Sequence, residues 1–215
     1  MKRFFLISLF SALVSFSSAG FAQQTSVSDV DTSDPNAMVQ QVTNKVLDRL
    51  RTDSSVRNGD INHVTQAVNE LILPYTDFRR TTQLAMGRAW RQASPQQQDQ
   101  MVSQFEMLLI RTYAGALSQV RDQKVTFKPF RAAPSDTDVV VRSSVINNGQ
   151  PVELDYRLYK TQQGWRVYDL NVGGVWLIQA YQQQFAEKIN QGGVQGLLDF
   201  LTQRNQQLAA GKQPS

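Results

Sequence analysis

The segment PVELDYRLYKTQQGWRVYDLNVGGVWLIQAYQQQF, residues 151–185, contains the clearest change of pattern in the chain. Its first part alternates with period two: Val152, Leu154, Tyr156 and Leu158 are separated by Glu153, Asp155, Arg157 and Tyr159. This alternation is typical of a strand with one buried face. Gln163-Gly164 predicts a turn into a second strand, so the segment begins with an antiparallel hairpin.

Two glycines then join the second strand to an apolar run. A glycine pair between a strand and a helix is a feature of phosphate-binding loops. Here no Lys, Ser or Thr follows Gly173-Gly174, only Val-Trp-Leu-Ile. We therefore expect the glycines to let the strand turn closely into a helix. That turn would bring Val175 and Leu177 to the space between the sheet and the helices.

Helical periodicity dominates the chain before residue 124. Asp34-Pro35 and Ser94-Pro95 each combine an N-cap residue with a proline at the first helical position. The predicted helices of this part begin near residues 35, 60, 77 and 95, and the last of them reaches about residue 120. Strands are predicted at 124–131, 138–146, 151–160 and 164–171. Two helices, at 175–190 and 194–209, are predicted to close the chain. The predicted fold is α+β, a four-stranded antiparallel sheet packed on one face by helices.

Residues 1–22 have the order of a secretory signal peptide. A basic start, an apolar run (Phe4–Phe16) and small residues ending at Ala22 predict cleavage before Gln23. An uncleaved anchor is the alternative, but it needs roughly 20 apolar residues. The predicted organisation is a signal peptide at 1–22, a disordered leader at 23–34 and a single domain at 35–210.

Few residues are suited to catalysis. The chain has one histidine, His63, and no cysteine, so disulfides, cysteine nucleophiles and a two-histidine metal site are excluded. We expect His63 to be structural, in the first turn of a helix capped by Asp60. Asp77 is expected to be an N-cap, and Asp169 to face inward beside Arg166 or another basic group. Neither a catalytic residue nor a cofactor is predicted.

The formal charge of +4 comes from scattered basic residues. Arg79-Arg80 is the densest pair, and no run of five cations occurs. Because nucleic-acid binding usually needs a basic stripe, no nucleic-acid partner is expected. A weak attraction to anionic membrane surfaces stays open. The arginines at 79–80 and 88–91 are a basic candidate for a surface that contacts a partner.

The sequence is rich in aromatic and aliphatic side chains. We expect an apolar pocket where the long helix, the sheet and the apolar junction at 175–178 converge. For each single residue, the alternative is that its side chain simply fills the core. The candidates for lining this pocket are Phe105, Leu109, Tyr113, Val141, Val152, Leu154, Tyr156, Val167, Val175, Leu177 and Tyr181.

Three segments together resemble one family. ILPYTDF (Ile72–Phe78), GRAWRQASPQQQDQMVSQFEMLLIRTYAGAL (Gly87–Leu117) and GWRVYDLNVGGVWLIQAYQQQF (Gly164–Phe185) are similar in order and spacing to the MlaC proteins, also called the toluene-tolerance auxiliary family. The resemblance extends from about residue 35 to 205. The chain differs from the family pattern at Trp176, where relatives carry a small residue, and at Ala180–Gln182, where a basic residue is common.

The resemblance implies a nuclear-transport-factor-like fold with a lipid pocket between sheet and helices. It places Tyr113, Val152, Leu154 and Val175 in that pocket. It also implies a periplasmic phospholipid carrier that maintains outer-membrane lipid asymmetry. The implied partners are an inner-membrane ABC transporter complex, through MlaD, and an outer-membrane complex of MlaA with a porin. A periplasmic hydrolase using Asp77 or Asp169 and a chaperone for outer-membrane precursors are the alternatives.

Overall fold

The computed structural model describes residues 30–117, 124–147 and 149–211. The predicted signal peptide lies outside the described residues. The elements in chain order are α1 (Pro35–Thr52), α2 (Ser54–Arg57), α3 (Ile61–Leu71), α4 (Phe78–Met86), α5 (Pro95–Leu117), β1 (Val125–Phe127), β2 (Asp138–Asn147), β3 (Gln150–Thr161), β4 (Gly164–Val172), β5 (Val175–Trp176) and α6 (Leu177–Ala209), with 3-10 turns at Leu73–Tyr75 and Gly87–Gln92. No helix in these three stretches is long and apolar enough to cross a bilayer.

Side-chain caps start the helices where the sequence predicts them. The Asp34 carboxylate accepts a 2.6 Å hydrogen bond from the Ala37 amide, and Pro35 occupies the first turn. The Asp60 carboxylate accepts from the amide of His63 at 3.1 Å and starts α3. A further cap at Asp53 starts the short helix α2, which the sequence analysis did not separate from α1.

The strands form one antiparallel sheet in the order β1-β2-β3-β4-β5. The α+β class is therefore confirmed, with five strands instead of four. The additional strand is β5, where Val175 pairs with Val172 and Trp176 with Asn171. Gly173 and Gly174 have φ angles of 61° and 90°, as two-residue hairpin turns require. The expected helix start at Val175 is wrong, because Val175 and Trp176 pair with β4 first.

A bulge separates the two halves of the β3–β4 pairing. Arg157 pairs with Asp169, but the next residue, Leu158, pairs with Val167. Tyr168 is therefore an extra residue of β4 at this point, which is a β-bulge. Asp155 was expected to face outward by alternation, but it is only 5% exposed. Polar cross-strand neighbours cover it, as described below.

Helix α6 contains a break at Gly192 and Gly193. Gly192 has φ −142° and ψ 16°, and Gly193 has φ 66° and ψ −162°, neither of which is helical. Two helical segments therefore close the chain, as predicted, and the first of them begins at Leu177.

The buried apolar side chains of the described residues form three clusters. The helical cluster contains Ala85, Met86, Trp90, Ala93, Met101, Phe105, Leu108, Phe185, Leu197, Leu198 and Leu201. The sheet cluster contains Val30, Met38, Val39, Val139, Val141, Leu158 and Trp165. The third cluster contains Leu50, Val56, Val64, Ala67, Ile110 and Ala114. Helix α1 packs on the sheet, while α5 packs mainly on α3, α4 and α6.

The chain is ordered before Pro35. Val30 is buried in the sheet cluster, and the Trp165 amide donates to the Thr32 carbonyl at 2.8 Å. Gly164 has φ 100°, and a side chain there would overlap Thr32. Residues 30–34, which the sequence analysis placed in the disordered leader, thus lie against the start of β4.

Candidate functional site

One face of the sheet carries a row of cross-strand pairs that is apolar except at Ser143, which pairs with Leu154. Val139 pairs with Leu158 and Val141 with Tyr156, and cross-strand partners in an antiparallel sheet project to the same side. Toward the β2–β3 and β4–β5 turns the same face continues through further pairs, which are Val145 with Val152, Leu154 with Val172, and Tyr156 with Leu170. The first pairs are covered by α1, whereas the later residues are only half-buried.

The helical layer is built around Phe105 of α5. Its ring is fully buried, with centroids 5.5 Å from Phe78, 4.8 Å from Tyr181 and 4.9 Å from Phe185. Leu109 is half-buried against the same cluster. This aromatic group fixes α4, α5 and α6 to one another, because edge-on aromatic pairs combine large buried area with a preferred geometry.

Two tyrosine hydroxyls lie beside this group. Burial raises the pKa of Tyr113, which is half-buried. Burial, followed by the proximity of Tyr113, raises the pKa of Tyr181 to about 12. Both hydroxyls are therefore neutral hydrogen-bonding groups near neutral pH, and they lie where α5 and α6 meet.

The predicted residues divide between the two layers. Val141, Val152, Leu154, Tyr156 and Val167 belong to the sheet side, and Phe105, Leu109, Tyr113 and Tyr181 to the helical side. Leu177 is buried at the start of α6. Val175 is 53% exposed on β5, so the expected turn does not bury it between the layers.

The sequence analysis missed three residues of the sheet side. Val145, Leu170 and Val172 are half-buried and pair with predicted residues. Leu170 and Val172 do alternate within YDLNV, and this signal could have identified them. The bulge at Tyr168 and Asp169 obscures the alternation, because the residues before and after it do not follow one register.

A buried polar group lies across the middle of the sheet. Asp155 accepts from the Ser143 amide at 3.2 Å and from Asn171 Nδ2 at 3.3 Å. Burial raises the pKa of the neighbouring Tyr156, against the effect of its hydrogen bonds to Thr43 and Ser143. These contacts explain why Asp155 is buried, since a carboxylate inside a protein needs hydrogen-bond donors.

Asp169 joins the sheet to α6. Its side chain is fully buried and accepts from Arg157 Nη1 at 3.0 Å and from the amides of Leu170 and Ile178, each at 3.0 Å. Its basic partner is therefore Arg157, not Arg166. Arg157 also stacks on Trp176, with the guanidinium carbon 3.9 Å from the ring centroid. Trp176, a departure from the family pattern, thus covers an ion pair.

The remaining catalytic candidates have structural contacts. Asp77 caps α4 through the Arg80 amide at 2.9 Å, as predicted, and also accepts from the Tyr159 hydroxyl. His63 is half-exposed, and its Nδ1 lies 3.7 Å from Asp53. No cluster of three metal-ligating side chains occurs in the described parts of the chain.

Two cavities lie away from the residues that were predicted to line the apolar pocket. An open cleft of about 620 Å³ is lined by Thr76, Asp77, Phe78, Arg79, Tyr159, Thr161, Gln162, Gln163 and Arg166. Most of this lining is polar, which suits acyl chains poorly. A second cavity of about 20 Å³ lies between α1 and α3 and is lined by apolar side chains such as Val46, Val64 and Ile72. It has room for about one water molecule.

The structure defines an α+β domain in which the antiparallel sheet and the helical layer each carry apolar side chains that are only half-buried. Comparison with known proteins then identifies the family. The profile of the MlaC protein family matches residues 40–203. The chain belongs to the MlaC family.

Individual relatives agree with this assignment. The intermembrane phospholipid transport system binding protein MlaC of Haemophilus influenzae is 22% identical over 173 residues, which cover 79% of this chain and 81% of that protein. The toluene tolerance protein ttg2D of Pseudomonas putida is 24% identical over 160 residues, covering 74% of each. The phospholipid-binding protein of Ralstonia solanacearum, solved in complex with a phospholipid, superposes with a TM-score of 0.80 at 54% identity, over 82% of this chain and 99% of that one.

Proposed function

We propose that this protein is a periplasmic phospholipid carrier. It would move glycerophospholipids between an outer-membrane complex of MlaA with a porin and an inner-membrane transporter complex that receives it through MlaD. The observation that carries the proposal is the phospholipid bound by the Ralstonia solanacearum protein, which shares 54% of its residues with this chain and the same fold. Membership of the MlaC family supports the same function.

The half-buried apolar residues of the two layers are the proposed cargo site. On the sheet side Val152, Leu154 and Tyr156 would contact acyl chains, and on the helical side Leu109 and Tyr113 would do so. Their partial burial supports this role, because such side chains gain most from covering by a ligand. Val141 and Phe105 are fully buried and would shape the site from behind. Val175, on an exposed turn, would lie at its rim.

The energetics of lipid transfer fit a site without reactive groups. Each methylene removed from water contributes about 0.8 kcal/mol, so a single acyl tail exposed to water costs on the order of 10 kcal/mol. Apolar walls are sufficient to offset this cost while the headgroup stays hydrated. We infer that the protein is a carrier and not an enzyme, since Asp77 and Asp169 are engaged in capping and ion pairing.

Replacement of one sheet residue tests the site. Leu154→Glu places a charge on the half-buried face, and we expect the purified variant to lose most of its bound phospholipid. Ile146→Glu is the matched control, because Ile146 is 43% exposed and adjacent in β2 to the apolar-face residue Val145. Lipid is measured by mass spectrometry of organic extracts, and circular dichroism checks folding. Full lipid retention by a folded L154E protein would refute the site.

A further inference from the structure

The corner formed by the end of α4 and the following 3-10 turn presents two different faces. Ala85, Met86, Ala89 and Trp90 are buried, and three of them belong to the helical cluster. The residues between and beside these two buried pairs are exposed. Those with side chains are Gln83, Leu84, Arg88, Arg91 and Gln92. We call Leu84, Arg88 and Arg91 the arginine corner. Leu84 is 37% exposed, which is unusual for a large apolar residue of this protein.

The arginine corner carries uncompensated positive charge. Between Asp77 and Asp99 the sequence contains four arginines and no acidic residue. Arg79 pairs with Asp99 at 2.6 Å, and Arg80 lies over the rings of Tyr159 and Tyr168. The side chains of Arg88 and Arg91 make no ion pair or hydrogen bond with any residue in the described parts of the chain.

The surface beside the corner is uncharged. A side chain at Gly87 would lie 4.0 Å from the Gln182 amide of α6. From residue 170 to 186 the chain has no acidic residue, and Gln179, Gln182 and Gln183 are exposed. Gln182 therefore lies next to the corner, and residues 170–186 around it add no carboxylate that would reduce the positive potential of the two arginines.

We propose that the arginine corner binds the surface of an anionic lipid bilayer. Two free guanidinium groups beside an exposed leucine match a surface that combines phosphate charge with an apolar interior. The corner includes none of the proposed cargo residues, so it is a separate site. It would hold the protein against a membrane while cargo is exchanged elsewhere on the molecule.

Vesicle binding by paired variants tests this proposal. The full-length secreted form is sedimented at low salt with vesicles of equal parts phosphatidylglycerol and phosphatidylcholine, and separately with vesicles of phosphatidylcholine alone. Each juxtamembrane arginine contributes roughly fivefold to the partition coefficient. We therefore expect R88Q/R91Q to reduce binding to the anionic vesicles about 25-fold, and added salt to weaken wild-type binding.

The control variant R131Q/K160Q removes the same charge from two other exposed cations and should change binding less than about threefold if location matters more than net charge. An equal loss in both variants would overturn the proposal. So would wild-type binding that does not depend on phosphatidylglycerol. Absence of vesicle binding, as expected if the corner serves an acidic protein surface, would overturn it too. Circular dichroism confirms that each variant is folded.

Discussion

Asp169 lies at the point where β4, β5 and α6 meet. Its buried carboxylate joins the Arg157 side chain to the Ile178 amide in the first turn of α6, and Trp176 covers Arg157 from outside. A single residue thus fixes the position of a helix relative to the sheet. The inward orientation was predicted from the sequence, as was a basic partner, Arg166 or another basic group; the partner is Arg157. Arg157 becomes the partner only because the bulge brings it opposite Asp169.

Asp169→Asn should lower the free energy of unfolding by about 1–3 kcal/mol. An asparagine can still accept from the Ile178 amide, but its own amide group would face the Arg157 guanidinium. Urea denaturation of both proteins measures the difference. Asp99→Asn is the control, because the Asp99 side chain is 70% exposed in its ion pair. This change should lower the free energy of unfolding by less than about 0.5 kcal/mol. An equal effect of both changes would contradict this role.

The same substitution has a pH dependence of defined sign. Burial is the main reason that the pKa of Asp169 is raised. The folded protein therefore binds this proton more tightly than the unfolded chain, and the stability that Asp169 contributes declines as pH rises through its folded pKa. Because asparagine does not titrate, the cost of D169N should be larger at about pH 4.5 than at about pH 7. A cost that grows with pH would show that the ion pair lowers this pKa instead.

At the scale of elements, the break in α6 depends on one glycine. Gly193 has φ 66° and ψ −162°, a region that is nearly restricted to glycine and costs other residues about 1–3 kcal/mol. Gly192 has φ −142°, which any residue can adopt. Neither position has an atom within 4 Å of an added side chain. Backbone conformation alone therefore distinguishes them.

Gly193→Ala should destabilise the protein by about 1–3 kcal/mol, whereas Gly192→Ala should change stability by less than about 0.5 kcal/mol. Thermal or urea unfolding of the two variants provides the comparison. If α6 were one uninterrupted helix, both alanines would stabilise it by about 0.5–1 kcal/mol. That result would contradict the break.

Local patterns predicted most elements, and they failed where pairing decides the structure. Caps such as Asp34 and Asp60 act within their own helix, so their positions follow from nearby residues alone. The apolar pair Val175-Trp176 suits a helix as well as a strand, and only the adjacent β4 selects the strand. Asp155 looked exposed because alternation does not report cross-strand donors such as Asn171.

For the candidate site, the sequence predicted the two layers but not how they are covered. Aromatic and aliphatic residues on α5 and β3 were identified from their spacing. Whether each one fills a core or remains half-buried depends on which helix lies over it. Val141 lies under α1 and is fully buried, while Leu154, on the same face, is not.

At the scale of the whole molecule, the division of the core distinguishes this domain. The helical and sheet clusters are separate, and partly covered apolar residues occur on both layers. A domain of ordinary stability gains by covering such surface, and an acyl chain can supply the cover. We therefore expect the isolated protein to contain bound lipid.

The most direct test is to purify the wild-type protein without detergent and analyse its organic extract by mass spectrometry, with phosphorus analysis for the amount. We expect phospholipid in stoichiometric proportion to the chain. An extract free of phospholipid, from protein that remains folded and has been produced in a cell with phospholipid membranes, would contradict it.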